Sequence, residues 1–178
     1  MPSAPDRQTQ IDTLVDHFKR PRHKGALEAP DATVPGGNPG CGDLVTIHLK
    51  ADDDGRITAV RFEGEGCTIS QAAASILADR VNKTHPTLDE VDEFSYDQMV
   101  DILGRDVVGF RERCATLALG TLKMAARKIQ MHRRLRAAGR TDEEIRALEQ
   151  AIVNARSDSG LVFGQAAEEQ RGVSGADR

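Results

Sequence analysis

Two β-rich runs flank an acidic Asp-Gly turn, and beyond them every sustained hydrophobic period in the chain is that of a helix. The runs are LVTIHL at 44–49 and ITAVRFE at 57–63, separated by Asp52-Asp53-Asp54-Gly55. Asp-Gly accommodates the positive φ of a tight hairpin, so the runs are expected to pair as antiparallel strands. From 68 to 83 the pattern changes, and Ile69, Ala72, Ala73, Ile76, Leu77 and Val81 share one face of a helix. Shorter acidic helices are expected at 87–94 and 96–103. A long helix is expected from about 109 to 138, with Ala115, Leu119, Leu122, Ala126 and Ile129 as its apolar stripe. This combination is an α+β fold with a small antiparallel sheet packed against helices.

The ends complete that outline. Ile11, Leu14, Val15 and Phe18 give a short helix from 10 to about 19, with Pro21 just past its end. Residues 20–42 are dense in Pro and Gly and read as a loop. Thr141-x-x-Glu144 is a capping box that announces an extended C-terminal helix to about 155. After that, Gly, Ser, Ala, Gln and Glu predominate, and 157–178 are expected to be a disordered tail. With 178 residues of which 39 % are hydrophobic, one domain over 1–156 suffices.

Charge and composition narrow the functional classes. The formal net charge is −4, and with one Tyr and no Trp the chain lacks the aromatic platforms of a nucleic-acid binder. Lys123, Arg127, Lys128, Arg133, Arg134, Arg136 and Arg140 form a basic stretch, read as a solvated helix face balanced by the acidic helices earlier in the chain. No stretch approaches the roughly 18 apolar residues that span a bilayer, and MPSAPDRQTQ has no signal-peptide core, so no membrane role and a cytoplasmic location are expected. The Asp52–Asp54 run fails as a calcium loop because Lys50 interrupts the ligand alternation. Gly64-x-Gly66 is no dinucleotide fingerprint, because Ile69 stands where the third glycine would be.

Chemistry concentrates at three cysteines. An odd number of widely spaced thiols argues against a disulfide framework. Cys41-Gly42-Asp43 places a soft thiolate and a carboxylate two residues apart on a Gly-containing turn. Cys67 and Cys114 lie at or near helix N-termini, where the positive end of the helix favours the thiolate, and Arg111 and Arg113 flank Cys114. Three thiolates and a carboxylate would make a tetrahedral shell for zinc or for iron. Spacing alone is a weak signal: with no C-x-x-C pair, it favours buried small side chains over a shared site. None of His17, His23, His48, His85 and His132 stands at ligand spacing from them, and His48 is expected to face outward from its strand.

The residues around all three cysteines resemble one family. Asp16-His17-Phe18 with Pro21-Arg22-x-x-Gly25 is similar to the opening helix and loop of the SufU, IscU and NifU N-terminal scaffolds. Asn38-Pro39-Gly40-Cys41-Gly42-Asp43 is similar to their first ligand loop. Phe62-Glu63-Gly64-Glu65-Gly66-Cys67-Thr68-Ile69-Ser70 resembles the SufU second-ligand segment, and Arg111-Glu112-Arg113-Cys114-Ala115-Thr116-Leu117 the third. The match is collinear over roughly 11–130 and closest to SufU in its motifs, although the stretch from Cys67 to Cys114 is nearer the IscU length.

The resemblance implies an iron–sulfur cluster assembly protein with Cys41, Asp43, Cys67 and Cys114 as metal ligands. The cofactor would be Zn2+, as in SufU-like members, or a nascent [2Fe-2S] cluster, as in IscU-like ones. Cys41 would accept sulfur from a PLP-dependent, SufS-like cysteine desulfurase, and downstream apo iron–sulfur proteins or carriers would receive the product. Any enzymatic role would be that of a zinc-dependent sulfurtransferase-type acceptor. IscU-like members carry His before the third cysteine. Arg113 stands there instead, and guanidinium has no free lone pair for a metal, so its expected role is to tune a neighbouring thiol. The Leu-Pro-Pro-Val-Lys chaperone motif has no counterpart at Val107-Val108-Gly109-Phe110, so no dedicated Hsp70-type partner is expected. A structural zinc module that docks partners without transfer chemistry is the alternative reading.

Overall fold

The computed structural model describes residues 6–158, so the expected tail lies, from residue 159 on, outside the described residues. The chain divides after Arg127 into two compact units.

In the first unit, α1 (Arg7–Lys19) starts three residues before the expected position, because Asp6 caps it by accepting the Thr9 N–H. Three antiparallel strands follow in the order β1-β2-β3: β1 (Ala32–Asn38), β2 (Asp43–Ala51) and β3 (Ile57–Glu65). The β2–β3 hairpin is the one its turn predicts. Gly55 adopts φ +82, and Asp52 caps the turn by accepting the Arg56 N–H through its side chain at 2.8 Å.

β1 corrects the expectation that 20–42 is loop throughout. Its Val-Pro-Gly-Gly sequence is poor strand material, but β1 is an edge strand that needs only one ladder, and there Pro35 is tolerated. Gly36 has a packing reason as well. A Cβ built on it would run into the hydroxyl of Thr121 and lie 3.2 Å from the Thr121 Cβ, so the strand lies close against a helix that only a glycine admits.

Helix α2 (Thr68–Thr84) packs on both β3 and α1. The short helices α3 (Leu88–Glu93) and α4 (Tyr96–Leu103) each open on a complete capping box, from Thr87 with Glu90 and from Ser95 with Gln98. A further turn, α5 (Arg105–Val108), was not expected from periodicity. The long helix α6 (Glu112–Ala137) begins three residues after the expected start, because Gly109 at φ +54 breaks the helical path.

The core-facing row of β2 is Asp43, Val45, Ile47 and Leu49, all buried, and it meets Val60 and Phe62 of β3 with Leu119 and Leu122 of α6 also fully buried. His48 lies on the opposite row but is only 8 % exposed, contrary to the outward-facing expectation. As a central-strand residue it is covered from both sides, by Thr33 Oγ1 at 3.1 Å and Glu63 Oε2 at 3.0 Å.

In the second unit, α6 continues from Lys128 and is followed by α7 (Asp142–Asp158), which opens on the predicted Thr141–Glu144 capping box. Glu149 accepts from His132 at 2.7 Å and pairs with Lys128 at 3.1 Å, while Arg136 pairs with Asp142. In the first unit, Arg127 pairs with Asp92 of α3. Of the basic stretch, Arg127 thus pairs with an earlier acidic helix as expected, whereas Lys128, Arg136 and Arg140 pair with carboxylates of the later helix α7, because the two helices of the second unit lie close in sequence. Among the described residues no helix is long and apolar enough to cross a membrane.

Candidate metal centre

Three separate junctions of the first unit converge at the end of the sheet. The turn from β1 to β2 carries Cys41, and the first residue of β2 is Asp43. The link from β3 to α2 carries Cys67, and the first turn of α6 carries Cys114.

The first turn is organised by Asn38, a residue that sequence reasoning did not single out. Its carbonyl accepts the N–H groups of Cys41 at 3.0 Å and Gly42 at 2.9 Å, and Gly42 takes φ +68. Its buried side-chain amide lies 3.6 Å from the Cys114 sulfur. Asn followed by Pro-Gly is a turn signal in the sequence, but the reach to Cys114 across 76 positions is a tertiary fact.

Asp43 is fully buried at the end of the core-facing row. A carboxylate there is costly unless it is bonded, and the Cys67 backbone N–H donates to its Oδ1 at 2.7 Å. Gly66 makes that contact possible. A Cβ at this position would lie 3.0 Å from both Cα and Cβ of Asp43 and closer still to Oδ1. Gly64 likewise admits the β2 backbone at Val45. Of the two glycines that mimic a dinucleotide fingerprint, Gly66 thus makes room for a carboxylate and Gly64 for a neighbouring backbone.

Cys67 is the N-cap of α2, and its sulfur accepts the Ser70 N–H at 3.4 Å. Sulfurs of Cys41 and Cys114 are 3.4 Å apart, and the ligand atoms of Cys41, Asp43 and Cys114 all lie within 4.8 Å of one another. Cys67 lies outside that tight group of three, but its sulfur is 3.6 Å from Asp43 Oδ2. For metal–sulfur bonds of about 2.3 Å and metal–oxygen bonds of about 2.1 Å, a tetrahedron has edges of about 3.8 Å between sulfurs and about 3.6 Å from sulfur to oxygen. The donors of Cys41, Asp43 and Cys114 are chemically suited to a thiophilic ion, and their mutual spacing of at most 4.8 Å is near those edges.

The thiols differ in access: Cys41 is exposed, Cys67 half-buried and Cys114 buried. Cys114 also departs from the expectation that its helix position and arginine neighbours favour thiolate. Burial pushes its pKa well up, and the hydrogen bonds with Asp43, Cys41 and Cys67 push it the same way. In the metal-free protein, desolvation and the adjoining acceptors outweigh the helix end. Arg113 is exposed and lines, with Arg111, Phe110, Cys41 and Cys114, a cleft of about 430 Å³. None of the five histidines belongs to the cluster. His17 instead hydrogen-bonds Ser75 at 2.8 Å, and Ser75 also accepts the Arg22 N–H, which ties the post-α1 loop to α2.

Comparison with known proteins places this geometry. Residues 9–136 match the model of the NifU-like N terminal domain. The chain is 34 % identical over 134 residues to the iron-sulfur cluster assembly scaffold protein IscU of Thermotoga maritima, covering 66 % of this chain and 92 % of that one. It is 32 % identical over 140 residues to the zinc-dependent sulfurtransferase SufU of Bacillus subtilis, with the same coverage of 66 % and 92 %. A crystal structure described as a putative iron-sulfur cluster assembly scaffold protein for the SUF system, from Fervidobacterium islandicum AW-1, superposes with a TM-score of 0.55 at 23 % identity, over 68 % of this chain and 99 % of that one, and shares the fold. The convergence of three sulfurs and a carboxylate at the end of this sheet, together with a match over most of its length, shows that the chain belongs to the NifU-like N-terminal domain family.

Proposed function

We propose that this protein is an iron–sulfur cluster assembly protein that accepts sulfur at Cys41 from a PLP-dependent cysteine desulfurase and holds metal through Cys41, Asp43, Cys67 and Cys114. The observation that carries the reading is the placement of Asp43. A fully buried carboxylate lies within 4.8 Å of two thiols and 3.6 Å from a third, which is a poor arrangement for an anion unless a cation joins it. The names of the relatives, a cluster scaffold and a zinc-dependent sulfurtransferase, support the same reading.

Each residue has a distinct part. Cys41 is the exposed thiol, on a turn at the cleft, and is the group an incoming sulfur donor can reach. Cys114 and Asp43 form the buried floor, and Cys67 closes the side against α2. Arg113, on the cleft wall, favours an anionic sulfur beside it, which is its tuning role. A zinc ion bound by this set would keep its sulfur ligands deprotonated. A [2Fe-2S] cluster would be cargo, assembled there and passed to apo proteins or carriers.

Zinc, iron and acid-labile sulfide analysis of anaerobically purified protein distinguishes the two occupants. The acceptor role is tested by desulfurase turnover with and without the chain. Wild type is expected to stimulate alanine release from cysteine, and Cys41→Ala to abolish that stimulation at unchanged fold. Undiminished stimulation by the variant would refute the assignment of Cys41. A site that keeps its zinc through chelator challenge and takes up no sulfur would instead favour the structural zinc module.

A further inference from the structure

The cleft beside Cys41 has an apolar anchor on its rim. Among the described residues Phe110 is fully exposed, at 109 % of its reference area, whereas the other exposed large hydrophobic side chains lie between 37 % and 50 %. Scattered half-exposed apolar residues are ordinary, but a wholly solvated aromatic ring beside a chemically functional cleft is not.

The backbone that carries the ring is also held in place. The Gly109 N–H donates to Arg105 at 2.9 Å, Arg111 donates to Val108 at 3.1 Å, and Cys114 donates to Arg111 at 3.0 Å. The backbone is therefore fixed on both sides of Phe110, and Gly109 at φ +54 makes the bend that sends the chain outward before α6. Arg111 and Arg113 line the same cleft and form no ion pair with a described residue, whereas Arg20, Arg22, Arg105, Arg127, Arg136 and Arg140 all do. An exposed aromatic ring on a fixed backbone, with two available guanidinium groups on the same cleft wall, is the composition of an interface hot spot.

We infer that Phe110 inserts into an apolar pocket of the sulfur donor, a cysteine desulfurase whose surface at that pocket carries carboxylates complementary to Arg111 and Arg113. The inference rests on the acceptor role proposed above and adds the contact that makes delivery possible. Sulfur transfer to Cys41 requires the donor's sulfur to come within bonding distance, about 2 Å. The donor's surface must then cover the cleft, and Phe110 lines that cleft together with Cys41.

The test measures affinity and association rate for the SufS-type desulfurase of the source organism, using full-length protein in its metal-loaded state. Phe110→Ala is expected to weaken binding by at least about 30-fold, mainly through faster dissociation, with Phe110→Leu intermediate and with melting temperature and metal content unchanged. Arg111→Glu is expected to slow association at low salt and to approach wild type at high salt. Wild-type affinity in Phe110→Ala overturns the inference and leaves the acceptor role standing. A lowered melting temperature for Phe110→Ala also overturns it, because a solvated ring contributes nothing to the fold. So does a wild-type dimer in sedimentation that Phe110→Ala converts to monomer, since the ring would then serve a second copy. If wild-type protein neither binds the desulfurase nor takes up its sulfur, the proposed function itself fails.

Discussion

Replacing Gly66 by alanine isolates the link between the sheet and the metal centre. The added methyl would meet Asp43 at Cα and Cβ, each 3.0 Å away, and would press on Oδ1. Asp43 cannot move aside cheaply, because β2 is paired on both sides, with Asn38 opposite Asp43 on β1 and Glu65 opposite Leu44 on β3. The junction at Gly66 and Cys67 must therefore shift, at φ +149 where a side chain is already strained, and the 2.7 Å bond from the Cys67 N–H to Asp43 is lost. Overpacking costs about 1–3 kcal/mol and an unsatisfied buried acceptor about as much again. Since the two overlap, the expected loss is about 3 kcal/mol. Denaturant unfolding of reduced, metal-stripped protein measures it free of any metal contribution. Gly42→Ala is the control, because it strains a residue at φ +68 but meets nothing within 4 Å, and should cost only about 1 kcal/mol. In loaded protein, Gly66→Ala should also release zinc to a chelator faster. If the two variants lose equal stability, or Gly66→Ala stays within about 0.5 kcal/mol of wild type, the close packing around Asp43 has been misread.

Two further perturbations test the frame around the site. Gly36→Ala is expected to destabilise by about 1–3 kcal/mol through its clash with Thr121, and adding Thr121→Ala should recover at least about 1 kcal/mol in a double-mutant cycle; strict additivity would show that β1 and α6 do not meet there. His17 should make stability pH-dependent. Burial and the nearby Arg22 lower its pKa from 6.5, so on acidification the unfolded chain takes up a proton before the native one does. Its contribution is full above about pH 6.5 and is lost as pH falls from there toward the lowered native value. Its charged and titratable surroundings are Asp16, Asp79, Arg22 and Lys83; the salt-bridged Asp16 loses its own contribution further down, below the ordinary carboxylate value of 3.8. His17→Gln should flatten the slope just below pH 6.5, and an unchanged slope would refute the assignment.

What the sequence revealed was whatever short stretches determine by themselves. Asp52–Gly55 is sufficient for a hairpin, and Thr87 with Glu90, Ser95 with Gln98 and Thr141 with Glu144 are sufficient to start helices, because each device closes within a few residues. The cysteine neighbourhoods were legible for a related reason: a turn glycine and a helix start position each thiol locally. What was hidden depends on partners far along the chain. β1 looks like loop partly because Gly36 is there for Thr121, some 85 positions away. His48 looks like a surface residue until Thr33 and Glu63 cover it. The thiol of Cys114 goes up rather than down because its burial is made by other elements, and no reading of its own turn contains that fact.

The unequal depth of the three thiols has a consequence for how the centre can be handled. Because Cys41 sits exposed on a tight turn while Cys114 is rooted in a long helix and Cys67 caps another, an electrophile from solution meets the Cys41 sulfur most readily. Under the function proposed above, entry and exit would proceed at the rim by movement of a single turn, and the helices that carry Cys67 and Cys114 would not need to come apart between one cargo and the next.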